Sequence, residues 1–582
     1  MRPLLDELHA AIFDATGHTP ASSDWAQTPN RQLGDVAYPC FKLAKQLGKA
    51  PNVVAQEIAP LVKAKLKSGS LIREIVPTGP YLNIFFASLP LHKQLQELLK
   101  NRRLGASDVG KGKTVTIDFS SPNMAKEIGL HHLRSTAIGN ALANLSELHG
   151  YKTVRINYLG DWGTAHGKNI MALKKFGSEE ELKKQGLGYI LDLYVRYNQA
   201  IKAEEEASPD VKSALGDAAR DAFKKLEQGD PEARRIWSLL REISIEEAKQ
   251  LYKRLNIRFD HYDGESLYEG RLQAVVDEVT TKIGTRKSEG ALVCDVPGQK
   301  IPVLLQKDDG ASLYITRDLA AAEDRFERFH YDISFYVVAI QQKFHFEQLF
   351  GVLKLLGKPY ADRCEHIPFG MLSFGSKTMK SREGNIIFLK DVLDEAQKRA
   401  LAIIQEKNPN LQGAADVAEM IGQGAILFSD VSQNRTRDIS FDWEKALSFE
   451  GDTAPFIQYT HARCCSLTKK GAAHLETLKR NESDALDAAL LLEKDPSVRQ
   501  LLGDMAYFQT FSERAWTERD PSQIATATLN VAKSFNQLYH KIRFLDETSS
   551  ARLKVLLQLT EGTRLLLSHG LSVLGILAPL EM

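Results

Sequence analysis

Lys126 and His132 flank the start of a long helical pattern, and a cation and an imidazole in that position are groups suited to phosphate. Thr114-Val-Thr-Ile-Asp-Phe119 is β-branched and apolar, Ser120-Ser-Pro-Asn-Met-Ala-Lys126 is turn-rich, and Leu133 to Gly150 carries apolar residues at helical spacing. Lys152-Thr-Val-Arg-Ile-Asn157 reads as the next strand. A right-handed crossover of this kind puts the first loop and the helix N-terminus at the carboxyl edge of a parallel sheet, where backbone N–H groups and the helix dipole favour anions. A second basic turn, Lys377-Thr-Met-Lys-Ser-Arg-Glu-Gly-Asn385, follows Phe369-Gly-Met-Leu372 and supplies charge for the other side of a polyphosphate. Such a turn in isolation is an ordinary solvated loop.

In order along the chain, these blocks carry a resemblance to a known family. Ser121-Pro-Asn-Met-Ala-Lys126, Leu133-Arg-Ser-Thr136, Asn157-Tyr-Leu-Gly-Asp-Trp-Gly-Thr164 and the degenerate Lys-Met-Ser-Lys-Ser-like segment resemble the signatures of arginine-tRNA ligases, a class I aminoacyl-tRNA synthetase family. Further matches continue to the last residue. The resemblance implies an α/β fold: a Rossmann-type parallel-sheet catalytic domain with helical insertions, a small N-terminal α/β domain and a C-terminal all-α anticodon-binding domain.

The same resemblance implies a set of site residues. Lys126, His132, Lys380 and Arg382 are expected to neutralise charge on the triphosphate, and Gly129, His131, His132, Met371, Lys380 and Ser381 to line the ATP site. Asn123, Glu265, Tyr314, Asp318 and Gln342 match positions that the family uses for arginine, whose guanidinium requires carboxylates with paired geometry. If Tyr314 to Asp318 opens a helix, their spacing of four puts both on one face. Taken alone, Asp318 reads as a carboxylate at a helix N-terminus and Tyr314 reads equally well as core. Phe456, Tyr459 and Tyr539 are the candidates to stack on unpaired anticodon bases, although any single aromatic in a helical bundle is more often core.

At positions 129 to 132 the family signature His-x-Gly-His meets Gly129-Leu130-His131-His132. The interchange removes a side-chain donor at 129 and places an imidazole at 131, where the family's glycine leaves room for adenine. Losing one transition-state donor lowers a rate by ~10²- to 10³-fold. Ala339, and Ala165-His166 after the Gly160-Asp-Trp-Gly163 block, also depart from the common family residues, without an expected effect.

The elements that must position these groups need several domains. A chain of 582 residues is too long for one core, and two to four domains are expected. Residues 1–110 read as a small α/β module, with lysines at 42, 45, 49, 63, 65 and 67 and a strand at Tyr81-Leu-Asn-Ile-Phe-Phe86, and the resemblance implies that this module contacts the tRNA body. Without the resemblance, those lysines are a solvated helix face. Residues 111–440 read as the catalytic domain, with a charged helical insertion over about 168–258, and 441–582 as the anticodon-binding domain. Ser244 and Glu247 resemble a capping box that opens a helix running to about Leu255. Strand signals at Ala291-Leu-Val-Cys294, Ile301-Pro-Val-Leu-Leu305 and Ile333-Ser-Phe-Tyr-Val-Val338 are expected to complete the second half of the catalytic domain.

Net charge is only +1, which neither requires nor excludes a nucleic-acid partner. The five cysteines form no Cys-x-x-Cys pair, so no protein-bound structural metal is expected and a reducing cytoplasm suits the chain. No run is apolar enough to span a membrane. The expected activity is activation of arginine with ATP, magnesium accompanying the nucleotide, and transfer to the 3′ end of arginine tRNA by a monomer. Two rivals are a catalytically silent tRNA-binding protein of the same descent, motivated by positions 129 to 132, and a class I synthetase for another amino acid. The absence of zinc-type cysteines and of large apolar insertions disfavours the last.

Overall fold

The computed structural model describes all residues except 1, 21–23, 29–32, 68–69, 102–103, 208–211, 308–313, 375–386, 479–487, 490–491 and 493. The chain forms two compact units, one of residues 108–398 and 433–443 and the other of residues 1–107, 399–432 and 444–582.

The first unit is built on β1 (Thr114–Asp118), α1 (Leu133–Leu148) and β2 (Lys152–Ile156), the βαβ unit expected from the sequence. A helical insertion follows: α2 (Thr164–Phe176), α3 (Glu179–Gln185), α4 (Leu187–Ala207), α5 (Ala214–Glu227) and α6 (Pro231–Arg254). It has its own apolar core around Leu173, Ile190, Tyr197, Leu226 and Leu240. Then come α7 (Leu272–Lys282), β3 (Arg286–Ser288), β4 (Ala291–Cys294), β5 (Val303–Gln306), α8 (Tyr314–Phe329), β6 (Ile333–Ala339), α9 (Lys343–Leu355) and β7 (Cys364–Phe369). Two short strands, β8 (Leu372–Phe374) and β9 (Ile439–Phe441), pair in parallel.

The main sheet has the order β7-β6-β1-β2 and is parallel throughout. Because β2 lies on one side of β1 and β6 on the other, the strand order reverses between β1 and β6. A crevice opens at the carboxyl end of such a reversal, and ligands of open α/β sheets bind there. All three strand signals expected for the second half form strands in this unit, and of them β6 joins the main sheet. β3, β4 and β5 form a separate antiparallel sheet, because tight antiparallel pairing such as Arg286 with Val293 uses their backbone groups locally.

The capping-box reading of Ser244 and Glu247 is corrected. Asp230, with Pro231 in the first helical position, caps α6 by accepting from the Ala233 N–H at 2.9 Å, so the helix starts well before Ser244. Ser244 is in its interior, donating to the Leu240 carbonyl at 2.7 Å and accepting from the Ala125 N–H at 3.0 Å. Glu247 accepts from the Leu187 N–H at 2.6 Å and so satisfies the start of α4. A spacing of three recurs on any helix face, and here both side chains serve neighbouring segments.

In the second unit a four-stranded antiparallel sheet contains Tyr81–Phe86, the strand expected from the sequence. The long helices Ala454–Thr477, Pro496–Glu518, Ser522–Lys541 and Ser550–Val573 make up most of the rest. Arg499 donates to the buried Asp35 carboxylate at 2.7 Å and to the Phe86 carbonyl at 2.8 Å, fastening sheet to helices. The chain terminus packs on the helices as expected: Gln458 donates to the Leu577 carbonyl at 2.7 Å, and a His461 ring nitrogen meets that of Pro579 at 2.9 Å. No helix among the described residues is long and apolar enough to cross a membrane.

Helix α1 lies close against β1 because Gly139 has no side chain. A Cβ there would stand 2.3 Å from Cβ and Cγ of Phe119. Gly139→Ala is expected to destabilise this unit by about 1–3 kcal/mol through overpacking, read as a lower urea midpoint.

Candidate functional site

The loop after β1 is held in a conformation that its residues would not choose alone. Ser120, Ser121 and Ala125 all have positive φ, at 72°, 48° and 57°. Hydrogen bonds from several elements hold it. Ser120 N–H donates to Ser135 Oγ at 2.9 Å, Ser120 Oγ meets the Tyr252 hydroxyl at 2.7 Å, and Ser121 N–H donates to Asn157 Oδ1 at 3.1 Å. The Ser135 and Thr136 of the Leu-Arg-Ser-Thr block thus serve the loop, Thr136 by donating to Ser120 Oγ at 2.9 Å. Asn123 is exposed, and its backbone lies against Gly160, where a Cβ would stand 2.3 Å from Asn123 Oδ1. Only glycine lets the two segments touch there.

Lys126 projects toward the insertion, its Nζ 5.5 Å from the centre of the Tyr194 ring. With Asn123, Ser244, Arg254 and Lys390 it lines a cavity of about 550 Å³. His132 packs against His131, ring centres 4.0 Å apart, and His131 is exposed. Burial, with the neighbouring His131, pushes His132 down to about 3, so its ring is neutral near pH 7. Its Nδ1 faces the Gly129 carbonyl at 3.3 Å, and a carbonyl can only accept, so Nδ1 carries the proton. Nε2 becomes a donor when the ring takes a second proton, which a bound polyphosphate favours.

Lys380, Ser381 and Arg382 lie outside the described residues. The backbone just beyond them returns to the first loop: Leu130 N–H donates to the Ile387 carbonyl and Leu389 N–H to that of Ile128, each at 2.9 Å. On the near side, Met371 is 44% exposed and its N–H donates to Asp438 at 2.6 Å. Arg134, from the same Leu-Arg-Ser-Thr block, is buried and donates to the carbonyls of Arg437 at 2.7 Å, Arg435 at 3.2 Å and Met371 at 3.5 Å. One guanidinium therefore ties the first signature to the strand pair next to the second.

The expected arginine set comes from four places around the crevice. Glu265 follows a segment that runs beside β2, where Leu159 N–H donates to the Asp263 carbonyl at 2.7 Å and Glu265 N–H to that of Leu159 at 3.1 Å. Tyr314 and Asp318 are on the first turns of α8, as their spacing suggested, but Tyr314 is 69% exposed and the core reading of it fails. Gln342 ends the short turn after β6 and is exposed.

Glu265 is loosely paired with Arg317 at 3.5 Å, and Arg317 reaches Glu269 at 3.6 Å. Burial pushes the Glu265 carboxyl up to about 7; Arg317 opposes this, while Asp318, Asp161 and Glu269 add to it. Asp161, missed as a site residue although it lies in the quoted Gly160-Asp-Trp-Gly163 block, is buried and accepts from Arg241 at 2.8 Å and from Ser266 at 2.9 Å. Arg317 and Tyr158 were missed too; the hydroxyl of Tyr158 is buried, and burial, Asp318 and Glu265 raise its pKa.

In the other unit Phe456, Tyr459, Arg463 and Asn536 help line a cavity of about 480 Å³. The Arg463 guanidinium is 4.7 Å from the ring centres of both Tyr459 and Tyr539, and Tyr459 is 40% exposed. The three candidate aromatics are thus near one another, with an arginine between two of them.

The fold and site together define a class I aminoacyl-tRNA synthetase. Residues 94–443 match the family described as tRNA synthetases class I (R), catalytic domain, residues 457–582 the DALR anticodon binding domain, and residues 4–86 the arginyl tRNA synthetase N terminal domain. The arginine–tRNA ligase of Leuconostoc mesenteroides is 39% identical, covering 100% of this chain and 99% of that one. That of Exiguobacterium sibiricum is 38% identical over 99% and 98%. The Thermus thermophilus arginyl-tRNA synthetase structure superposes with a TM-score of 0.82 at 26% identity, covering 100% of both chains. The chain belongs to the arginine–tRNA ligase family. The resemblance and fold class read from the sequence are borne out.

Arg134→Lys retains the charge but can reach only part of the carbonyl set. It is expected to destabilise this unit by about 2–3 kcal/mol, the size of buried charge-assisted bonds lost, measured by urea unfolding.

Proposed function

We propose that this chain activates arginine with ATP, releasing pyrophosphate, and transfers it to the 3′ end of arginine tRNA, releasing AMP. The observation that carries this reading is the convergence of Glu265 and Asp318, from separate elements, at the carboxyl end of the parallel sheet, where each raises the cost of ionising the buried Tyr158. Two carboxylates beside a nucleotide crevice suit a guanidinium substrate. Glu265, Asp318 and Tyr314 hold the side chain; Asn123 and Gln342 hold the α-amino and carboxylate ends.

The arginine carboxylate attacks the α-phosphate, and catalysis is positioning plus charge neutralisation. Lys126, His132, Lys380 and Arg382 neutralise the departing pyrophosphate, while Gly129, His131, Met371 and Ser381 line the nucleotide site. Magnesium enters with ATP as part of the substrate. Residues 1–110 take the tRNA body, 111–440 perform the chemistry, and Phe456, Tyr459 and Tyr539 in 441–582 stack on anticodon bases. In that N-terminal segment Lys42 and Lys49 are paired with Asp24 and Glu57 yet remain exposed, so they stay accessible to phosphate. We place the reaction in the cytoplasm, to whose reducing conditions the free cysteines are suited, and in a monomer.

Charging with radiolabelled arginine tests the reading. The double change Gly129→His, His131→Gly is expected to raise the rate by ~10²- to 10³-fold, the value of one restored transition-state donor. Gly129, which offers no side-chain donor, favours the second reading, a silent tRNA-binding protein. That reading requires that the unmodified chain binds tRNA and does not charge it, and robust charging by the unmodified chain overturns it.

The acid pocket gives a pH dependence. Below about 7 Glu265 is protonated and must release its proton before pairing with a guanidinium. Arginine affinity is expected to rise about tenfold per pH unit up to about 7 and then level off. Glu265→Gln should weaken binding and remove the slope, as measured by calorimetry between pH 5.5 and 8.5.

A further inference from the structure

We propose that His345 is a positioning residue of the amino acid site, which fixes the Asp318 carboxylate in the plane that receives the substrate guanidinium. This rests on the reading above that Asp318 holds arginine. His345 is on the first turn of α9, three residues beyond Gln342, and its Nε2 lies 2.6 Å from Asp318 Oδ2. The bond spans α8 and α9, so it joins the helix carrying Tyr314 and Asp318 to the turn carrying Gln342.

Three features make this more than a surface ion pair. Both side chains are three-quarters buried, at 23% and 22% exposure, which limits water as a substitute partner. The His345 ring is held edge-on against Phe346, with 5.3 Å between centres and an 87° angle. Phe346 in turn stacks on His366 at 4.5 Å. His366 is anchored by a ring nitrogen 3.0 Å from the Val338 carbonyl, on β6. The imidazole therefore has little freedom to leave Asp318.

The need for such a partner follows from the charges nearby. The Asp318 carboxylate is within electrostatic reach of Glu265 and Asp118, both acidic, and the adjacent Arg317 is directed to Glu265 and Glu269 instead. Among the described residues, no other side chain hydrogen-bonds Asp318. The terminal torsion of aspartate is broad. Without His345, repulsion would turn the carboxylate away from its neighbours, and a guanidinium fork depends on the orientation of the two oxygens. With Oδ2 engaged by Nε2–H, Oδ1 and the second lone pair of Oδ2 remain for the ligand.

Calorimetric titration of arginine, and separately of ATP, into the full chain tests this with His345→Phe, His345→Gln, Asp318→Asn and the double variant Asp318→Asn, His345→Phe. His345→Phe is expected to weaken arginine by about tenfold, the order of one hydrogen bond to a charged group, with ATP affinity unchanged. Gln, whose amide reaches a similar position, should restore most of it. In the Asp318→Asn background His345→Phe should add nothing. If phenylalanine prevents folding, His345→Asn, whose amide matches Nδ1 and not Nε2, supplies the contrast with Gln. Unchanged arginine binding in both His345→Phe and His345→Asn, with a loss in Asp318→Asn, would overturn the role of His345 alone. No loss in Asp318→Asn would overturn the assignment of Asp318 and the proposal with it. Equal loss of arginine and ATP binding would mark a merely structural histidine and also overturn it.

Discussion

The site hangs on one buried ion pair. Arg325, on α8, donates to Asp118 at 2.7 Å, and the two side chains are 1% and 7% exposed. Asp118 is the last residue of β1, and it also accepts from Ser121 Oγ at 2.9 Å, so it joins the central strand, the strained loop and the helix that carries Asp318. The guanidinium lies over Tyr158 at 5.1 Å and Tyr336 at 5.4 Å, which replaces part of its lost hydration with aromatic faces. Asp118 holds Arg325 well above the usual guanidinium range despite its burial. A pair of this kind adds little net stability, but removing one partner strands a charge in the interior, at a penalty of about 3–5 kcal/mol. It therefore fixes a single arrangement of the two halves of the sheet around the crevice.

Against this fixed pair stands a loose one. Arg317 meets Glu265 and Glu269 at 3.5 and 3.6 Å, beyond hydrogen-bond range for good geometry, and Nε of Arg317, Oε2 of Glu265 and Oε1 of Glu269 are buried without a hydrogen-bond partner. Unsatisfied polar atoms in a native interior call for a reason, and ligand binding is a common one. An incoming cation would improve the hydrogen bonding of Glu265 while Arg317 keeps Glu269 paired. The contrast between Asp118 with Arg325 and Glu265 with Arg317 separates charge that builds the site from charge that is available to it.

Much of this was legible because it is local. The run from Thr114 to Ile156 alternates its periodicity from strand to helix to strand within a short span, and the structure follows it closely. Tyr314 and Asp318 fall on one helix, the condition under which their spacing of four puts both on one face. The nonlocal parts were not legible from pattern. His345 and Asp318, or Arg134 and the carbonyl of Arg437, are brought together by sheet topology, and neither partner carries a mark of the other. Ser244 shows the opposite failure. Its spacing from Glu247 is what a capping box requires, but the cap had already been supplied by Asp230, and a local rule cannot register that the helix began earlier.

The departure at positions 129 to 132 is best understood through what stays fixed around it. Gly129 lies in an antiparallel bridge with Phe388, and Leu130 N–H is used by the Ile387 carbonyl, so the backbone that would carry a histidine at 129 is already tied to the segment after the second signature. Because these bonds use main-chain atoms alone, exchanging side chains at 129 and 131 leaves them intact. The interchange therefore alters donors and ring positions without disturbing the frame that holds His132, Met371 and Arg134. A change confined to side chains on a fixed backbone also leaves in place α8, which carries Asp318, and the segment beside β2 that leads to Glu265.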